Sequence, residues 1–446
     1  MYLTSLELEN FKIFKQETFN FKKITLLTGT NSSGKSTVIN AITSALQTKE
    51  PGIFPIKFDN YGDMTKLGGF KEIVNGGKGN KKFAMKLVFE SATEKLELKG
   101  KYRYSASGNH ILPYDVVVDT ESAKLELKWK TTEIGYQVKK TVKNTDNLEG
   151  IQKILAKFTK VVHAGTKGKR DDSKIEDMLK GMISSTDWVS LKSRKPLDII
   201  EELEKGINFQ TTLQDIKTKF SAIKKHFSYI GPIRAYPSRH YESDNLYTSV
   251  NNTGSNAYSF VIDWKQHSSK KYNKLISDMR LIKLVNDIDT SPIRDDLVQL
   301  NIQPHGHKEK VNVTDVGFGI SQLLPILVAN IELPDNSTML INQPEVHLHP
   351  SGQAELATYF NQNLLKRHYI IETHSEYLIN RFRLLVAQGK LKQEDINIIY
   401  IDNIKGEPDV SNISINKDGN LIGAPDSFFE TYFIDTSDLI YAGLDE

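Results

Sequence analysis

The chain of 446 residues contains no cysteine. Disulfides, thiolate metal sites and cysteine nucleophiles are therefore excluded, and the composition suits a reducing, cytoplasmic setting. Long apolar runs are missing too. The longest in the C-terminal half, around 323–331, falls well short of the roughly 20 residues that span a bilayer. The first residues, MYLTSLELENFKIFKQ, alternate apolar and polar like a strand and lack the apolar centre of a signal peptide. No membrane partner is expected. Charge of one sign is not in excess: the formal net charge is +3. That excludes a histone-like surface but leaves room for a local basic groove. Internal repeats, low-complexity tracts and sustained heptads are also lacking, so a long coiled-coil arm is not expected. The remainder is ordinary globular composition, 39% hydrophobic and 25% charged, with length for two or three compact units.

What is present starts with TLLTGTNSSGKSTVINAIT, residues 25–43. A β-rich run, 24–28, feeds Gly29, and residues 36–47 read as a helix. Strand, glycine loop and helix follow in the order a phosphate-binding loop requires. Gly29-Thr-Asn-Ser-Ser-Gly34-Lys35-Ser36 fits G-x-x-x-x-G-K-[ST] at every position. Glycines let successive N–H groups face an anion, and the helix start adds the positive end of its dipole. Lys35 is expected on the β- and γ-phosphates and the Ser36 hydroxyl on Mg²⁺.

Residues 2–9 and 17–28 read as strands and 50–80 as loops. From 82 to 143, five alternating runs broken by turn residues predict an antiparallel meander with one wet face. Residues 148–228 and 256–290 read as mostly helical. Beyond 320, helices near 320–331, 351–365 and 375–388 alternate with strands at 338–342, 368–372 and 396–401. That alternation predicts a mainly parallel sheet. The fold class expected is α/β: a P-loop NTPase head with an antiparallel β lobe and a mainly helical insert. Its expected parts are 1–80 (Walker A), 81–147 (β lobe), 148–228 (insert) and 229–446 (the rest of the head).

Three further stretches carry chemistry. In TMLINQPEVHLHP, 338–350, a β-run ends in polar residues at the place of a Walker B segment. In ETHSEYLINRFR, 372–383, a strand delivers Glu372, Thr373, His374 and Ser375. His374 is placed to meet a γ-phosphate or attacking water, and Ser375 to cap the next helix. In DVGFGISQLLPIL, 315–327, glycines and Ser321 precede an apolar helix whose start can hold a phosphate.

In this order, GTNSSGKST, VGFGISQLLPIL, PEVHLHPSGQAEL and ETHSEYLINRFR resemble the ABC-type AAA ATPases. That group includes SMC and RecF heads and OLD-like ATPases. The compact bacterial members of antiphage defence, the Septu type among them, look closest, and the likeness implies a form without a toprim domain. YIGPIRAYPSRHY ahead of the signature and KDGNLIGAPDSFFE after the histidine fit the same likeness, which covers 1–80 and 229–433 and is weak over the insert. The resemblance implies ATP and Mg²⁺ as ligands. It implies that Gly29, Asn31, Gly34, Lys35, Ser36 and Thr37 form the Walker A cradle. Gly317, Gly319, Ser321 and Gln322 stand for the signature loop, Ser36 and Asn342 for metal ligands. His347, Leu348 and His349 lie at the D-loop, and Glu345, His374 and Gln343 are the candidates for catalysis. Two heads then sandwich two nucleotides, so a homodimer or higher oligomer is implied. The implied role is a sensor or scaffold switch controlling a separate effector nuclease; the alternative is a RecF-like ATP-dependent DNA-binding protein.

Asn342 and Gln343 stand where such proteins usually carry acids. An amide ligates a cation or orients water but neither adds negative charge nor accepts a proton. Slow hydrolysis is therefore expected, with Glu345 as the first remaining carboxylate and Glu372 the second. Two other readings compete on the same residues. Glu345, His347 and His349 alternate as metal ligands would on an extended segment, and Asp287-Ile-Asp289 has the D-x-D spacing of a nuclease, or else marks a helix end. Basic clusters at 167–170, 192–195 and 224–225 are candidates for DNA contact.

Overall fold

A computed structural model describes residues 1–105, 110–131, 135–143, 185–242 and 247–428. In chain order, β1 (Tyr2–Phe11), β2 (Phe14–Asn20) and β3 (Ile24–Gly29) lead into helix α1 (Lys35–Leu46) and the short α2 (Phe70–Ile73). Next come β4 (Phe83–Glu90), β5 (Lys95–Ser105), β6 (His110–Asp119), β7 (Ala123–Lys130), β8 (Gly135–Val142) and β9 (Val189–Leu191). Helices α3 (Pro196–Lys205) and α4 (Gln210–Lys225) precede β10 (Phe227–Ile230), β11 (Tyr241–Glu242), α5 (Ala257–His267) and α6 (Ser269–Leu281). Then follow β12 (Val285–Arg294), β13 (Leu297–Pro304), β14 (Val311–Asn312), α7 (Phe318–Glu332), β15 (Ser337–Asn342) and α8 (Pro350–Gln362). The described chain ends with β16 (Arg367–Glu372), α9 (Glu376–Ala387), β17 (Ile396–Ile404), β18 (Glu407–Ile415) and β19 (Leu421–Ile422).

Two compact units emerge, dividing within α1: Met1–Asn20 with Asn40–Lys224, and Phe21–Ile39 with Lys225–Glu446. The first is built on an antiparallel sheet of order β2-β1-β4-β5-β6-β7-β8-β9. Alternation drives it: Leu96, Leu98 and Tyr102 of β5 point inward while Lys95, Lys99 and Lys101 face water or partly so. Phe58, Phe70 and Tyr102 gather around Phe83 at 5.1–5.7 Å between ring centroids. The predicted meander is the middle of this sheet, and β1 and β2 extend it. Residues 17–28, read as one strand, split into β2 and β3, because Lys22 N donates to Thr25 Oγ1 (2.9 Å) and turns the chain.

The second unit holds a seven-stranded sheet of order β10-β15-β16-β3-β17-β18-β19. Its first five strands run parallel and the last two antiparallel. β15 (STMLIN) is buried at every position, the continuous apolar texture of a parallel strand covered on both faces. Helices α5 to α9 contribute Trp264, Met279, Leu323, Phe360 and Phe382 to the core against this sheet. The α/β P-loop class is what the alternation of strands and helices required.

The helical stretch 256–290 stops at Leu281; Lys283 takes a positive φ of 57° and the chain enters β12. β12 pairs with β13 through Ile288↔Ile302, so the hairpin partner, invisible in a local window, decides the conformation. Asp287 and Asp289 are thus strand residues. Lys310 meets them at 2.9 and 3.1 Å, and Lys265 meets Asp289 at 3.2 Å. They are neither a helix end nor a free acidic pair. Of the expected helical insert, 148–184 lies outside the described residues, and the remainder carries β9, α3 and α4.

Candidate nucleotide site

Parallel strands end at one edge, and the second unit collects its polar residues there. β3 ends in Gly29, β15 in Asn342 and β16 in Glu372. Asn342 pairs in register with Glu372, and Glu372 with Leu27. The lattice runs on past the strands: Gln343 N donates to Glu372 O (2.7 Å) and Thr373 N to Leu27 O (2.9 Å). This is the edge of a parallel sheet where ligands bind.

The loop after β3 depends on glycine. Gly29 has φ +138°, and a Cβ there would sit 1.9 Å from Ile401 O. Gly34 has φ +113° and opens α1. Lys35 is 5% exposed, and its ammonium donates to Gly29 O (3.0 Å) and Thr30 O (2.6 Å). Burial pulls its pKa down, while the nearby Glu372 carboxylate holds it up. Asn31 and Ser36 are exposed and Thr37 is buried. Ser36 Oγ lies 3.4 Å from Glu372 Oε1.

Asn342 Nδ2 donates to Glu372 Oε2. Asn342 Oδ1 and Glu345 Oε2 are buried and have no hydrogen-bond partner. The other oxygen of Glu345, Oε1, accepts from His374 N at 2.8 Å. Burial raises the pKa of both Glu345 and Glu372; Lys35 opposes this at Glu372. Partial burial, and then Lys35, lower that of His374, a partly exposed residue beside the edge. Ser375 caps α9, its Oγ accepting from Leu378 N (3.0 Å). Gln343 sits in the left-handed region, φ 43°, where a residue other than glycine is strained.

The signature stretch starts its helix earlier than the sequence reading placed it. α7 begins at Phe318 with Gly317 as its cap. Gly317 and Phe318 are exposed, whereas Ser321 is 4% exposed and its hydroxyl donates to Phe318 O (2.8 Å). Ser321 is therefore a helix-interior residue, and the open N–H groups are those of Phe318 and its neighbours. Gln322 is also buried and reaches Arg234. A Cβ on Gly319 would sit 3.0 Å from His347 O, so the segments at 317–319 and 347–348 pack together. His347 leans on the Phe318 ring at 5.4 Å. His349 caps α8, accepting from Ser351 N. The two histidines are thus engaged elsewhere than at Glu345, and no three-residue acid or histidine group suited to a metal occurs among the described residues.

Sequence reasoning missed Arg234. It is 6% exposed, and it donates to Gln322 Oε1 (3.2 Å), Gln343 O (3.3 Å) and Asn342 O. It ties the start of α7 to the end of β15. Burial lowers its pKa to about 10, with Glu345 opposing. No short pattern marks it. Its one signal is an arginine amid the turn residues GPIRAYP, where a polar loop alone needs none. For the basic clusters, 167–170 lies outside the described residues, and Lys224 Nζ is engaged with Thr48 O (2.8 Å). No described helix is long and apolar enough to cross a membrane.

Residues 1–379 match a family model described as an AAA ATPase domain. None of the curated proteins matches the chain. Among solved structures it is similar to the SMC head domain from Thermotoga maritima, at 10% identity over 92% of this chain and 98% of that one, TM-score 0.40. It is also similar to an SmcHead bound to the C-winged helix domain of ScpA, at 12% identity over 94% and 99%, TM-score 0.44. A third likeness is to the Smc head domain with an extended coiled coil from Pyrococcus furiosus, at 12% identity over 93% and 96%, TM-score 0.43.

Proposed function

The chain belongs to the AAA ATPase domain family, and from that premise we propose that it is a slowly hydrolysing, ATP-gated switch. The observation that carries this is the meeting of Lys35 and Ser36 with Asn342, Glu345, Glu372 and His374 at one sheet edge. Backbone N–H groups of 29–37 and the start of α1 hold the phosphates. Lys35 leaves its own loop carbonyls for the β- and γ-phosphates. Mg²⁺, which the family implies, neutralises charge on those phosphates when bound. The residues fit such a hard cation: Ser36, Asn342 and Glu372 offer oxygen, and Asn342 Oδ1 is buried with no partner.

Glu345 is held through Oε1 by His374 N, so Oε2 remains to take the proton from an attacking water. His374 is kept neutral and orients that water or a γ-phosphate oxygen. Asn342 and Gln343 contribute neither charge nor proton acceptance, which makes hydrolysis slow. Single-turnover ATP hydrolysis tests this. The wild type is expected to turn over slowly, and Glu345→Gln to lower the rate further by roughly 10²–10⁴-fold. Rapid turnover indifferent to Glu345 overturns the assignment.

The exposed start of α7 at Gly317 and Phe318 faces outward, which supports closure over the nucleotide of a second copy. The setting we infer, a sensor or scaffold subunit that controls a separate effector nuclease in antiphage defence, rests on the motif resemblance. Co-purification of a nuclease subunit with the tagged chain tests it, and a chain recovered without one speaks against it.

A further inference from the structure

Which group supplies negative charge at a cation position whose strand-end residue is an amide? Three acids lie near this edge. Asp402 is engaged by Thr30 Oγ1 (2.9 Å) and Ser427 Oγ (3.0 Å). Glu345 is turned to His374 N (2.8 Å). Glu372 alone of the three touches the hydroxyl that opens α1, Ser36 Oγ at 3.4 Å. Its second oxygen is taken by Asn342 Nδ2. Asn342 is 4% exposed, and its Oδ1 has no partner.

We propose that Glu372 is the carboxylate through which this site reads a divalent cation, with Asn342 as the positioning residue that fixes which oxygen it offers. The carboxylate then stands at the end of β16 and the amide at the end of β15, and the two residues act as a unit. An amide at 342 suits this arrangement. It donates to Glu372 through nitrogen and still presents an oxygen, whereas an aspartate there would set two carboxylates against each other. The proposal rests on the nucleotide reading above, and concerns how the cation enters it.

The test measures ATP affinity by calorimetry with Mg²⁺ and with EDTA, and melting temperature with Mg²⁺ alone, for the wild type, Glu372→Gln, Asn342→Ala and Asn342→Asp. In the wild type, Mg²⁺ is expected to tighten ATP binding. Glu372→Gln, nearly isosteric, should abolish that gain while keeping the EDTA affinity, which comes from Lys35 and the loop. Asn342→Ala should weaken the Mg²⁺ response by roughly 10–100-fold, the usual effect of losing a residue that orients a ligand. Asn342→Asp should melt lower without cation and recover when Mg²⁺ alone is added, which a merely structural hydrogen bond does not predict. A full Mg²⁺ gain in Glu372→Gln overturns this proposal and leaves ATP binding intact. A wild type that takes up no ATP in either buffer overturns both readings.

Discussion

His374 illustrates how the environment sets a single residue's chemistry. Burial, and then the Lys35 ammonium, lower its pKa from the ordinary histidine value. A group depressed in the folded state adds stability above its unfolded pKa of about 6.5 and loses it as pH falls through the folded value. Glu345 and Glu372 act in the opposite sense, because burial raises them: their stabilising share is present below the unfolded carboxylate pKa and lost as pH rises. Comparing wild type with His374→Gln cancels the carboxylates. Urea denaturation from pH 8 to 5 should show the wild type losing stability relative to the variant below pH of about 6.5. Parallel pH curves for the two proteins would show that His374 does not titrate this way. At this scale the sequence was informative where chemistry follows type and spacing, as in Gly29 to Ser36. It was uninformative about orientation. Nothing in Asn342 or Glu372 alone announces that they hydrogen-bond, since thirty residues separate them and only the parallel register brings them together.

Among elements, the end of β15 is tied to α7 by one side chain. Arg234 spans Gln322 on α7 and the carbonyls of Asn342, the last residue of β15, and Gln343 just after it. Arg234→Met keeps the apolar stem but takes the arginine donor from Gln322 Oε1 and Asn342 O, whereas Gln343 O keeps Val346 N (3.4 Å). The expected cost is about 1–3 kcal/mol for each acceptor left bare and buried, read as a lower urea midpoint. An unchanged midpoint would mean that the contacts contribute nothing. Elements built on local pattern were legible: α1, α7, α8 and α9 lie within a few residues of where periodicity and caps put them. Elements built on distant pairing were not. Val285–Arg294 has charged and polar residues that pass for a helix end, and becomes a strand through Ile288 and Ile302 meeting across the hairpin. The setting of Ser321 was hidden for a related reason: with Gly317 as the cap, α7 already includes Ser321, whose hydroxyl bonds back to Phe318 O.

For the whole molecule, the AAA ATPase domain over residues 1–379 implies a nucleotide as its ligand. A switch of this kind should change its assembly with nucleotide: size-exclusion with light scattering is expected to show more dimer with ATP and Mg²⁺ than without. A partition indifferent to ATP would remove the gating role. The account as a whole turns on Lys35, buried at the head of α1 and bound to its own loop carbonyls. Calorimetric titration of ATP with Mg²⁺ into the wild type and Lys35→Ala tests that directly. The account predicts uptake of ATP by the wild type and its loss in the variant; no uptake by the wild type, or equal uptake by both, would contradict it.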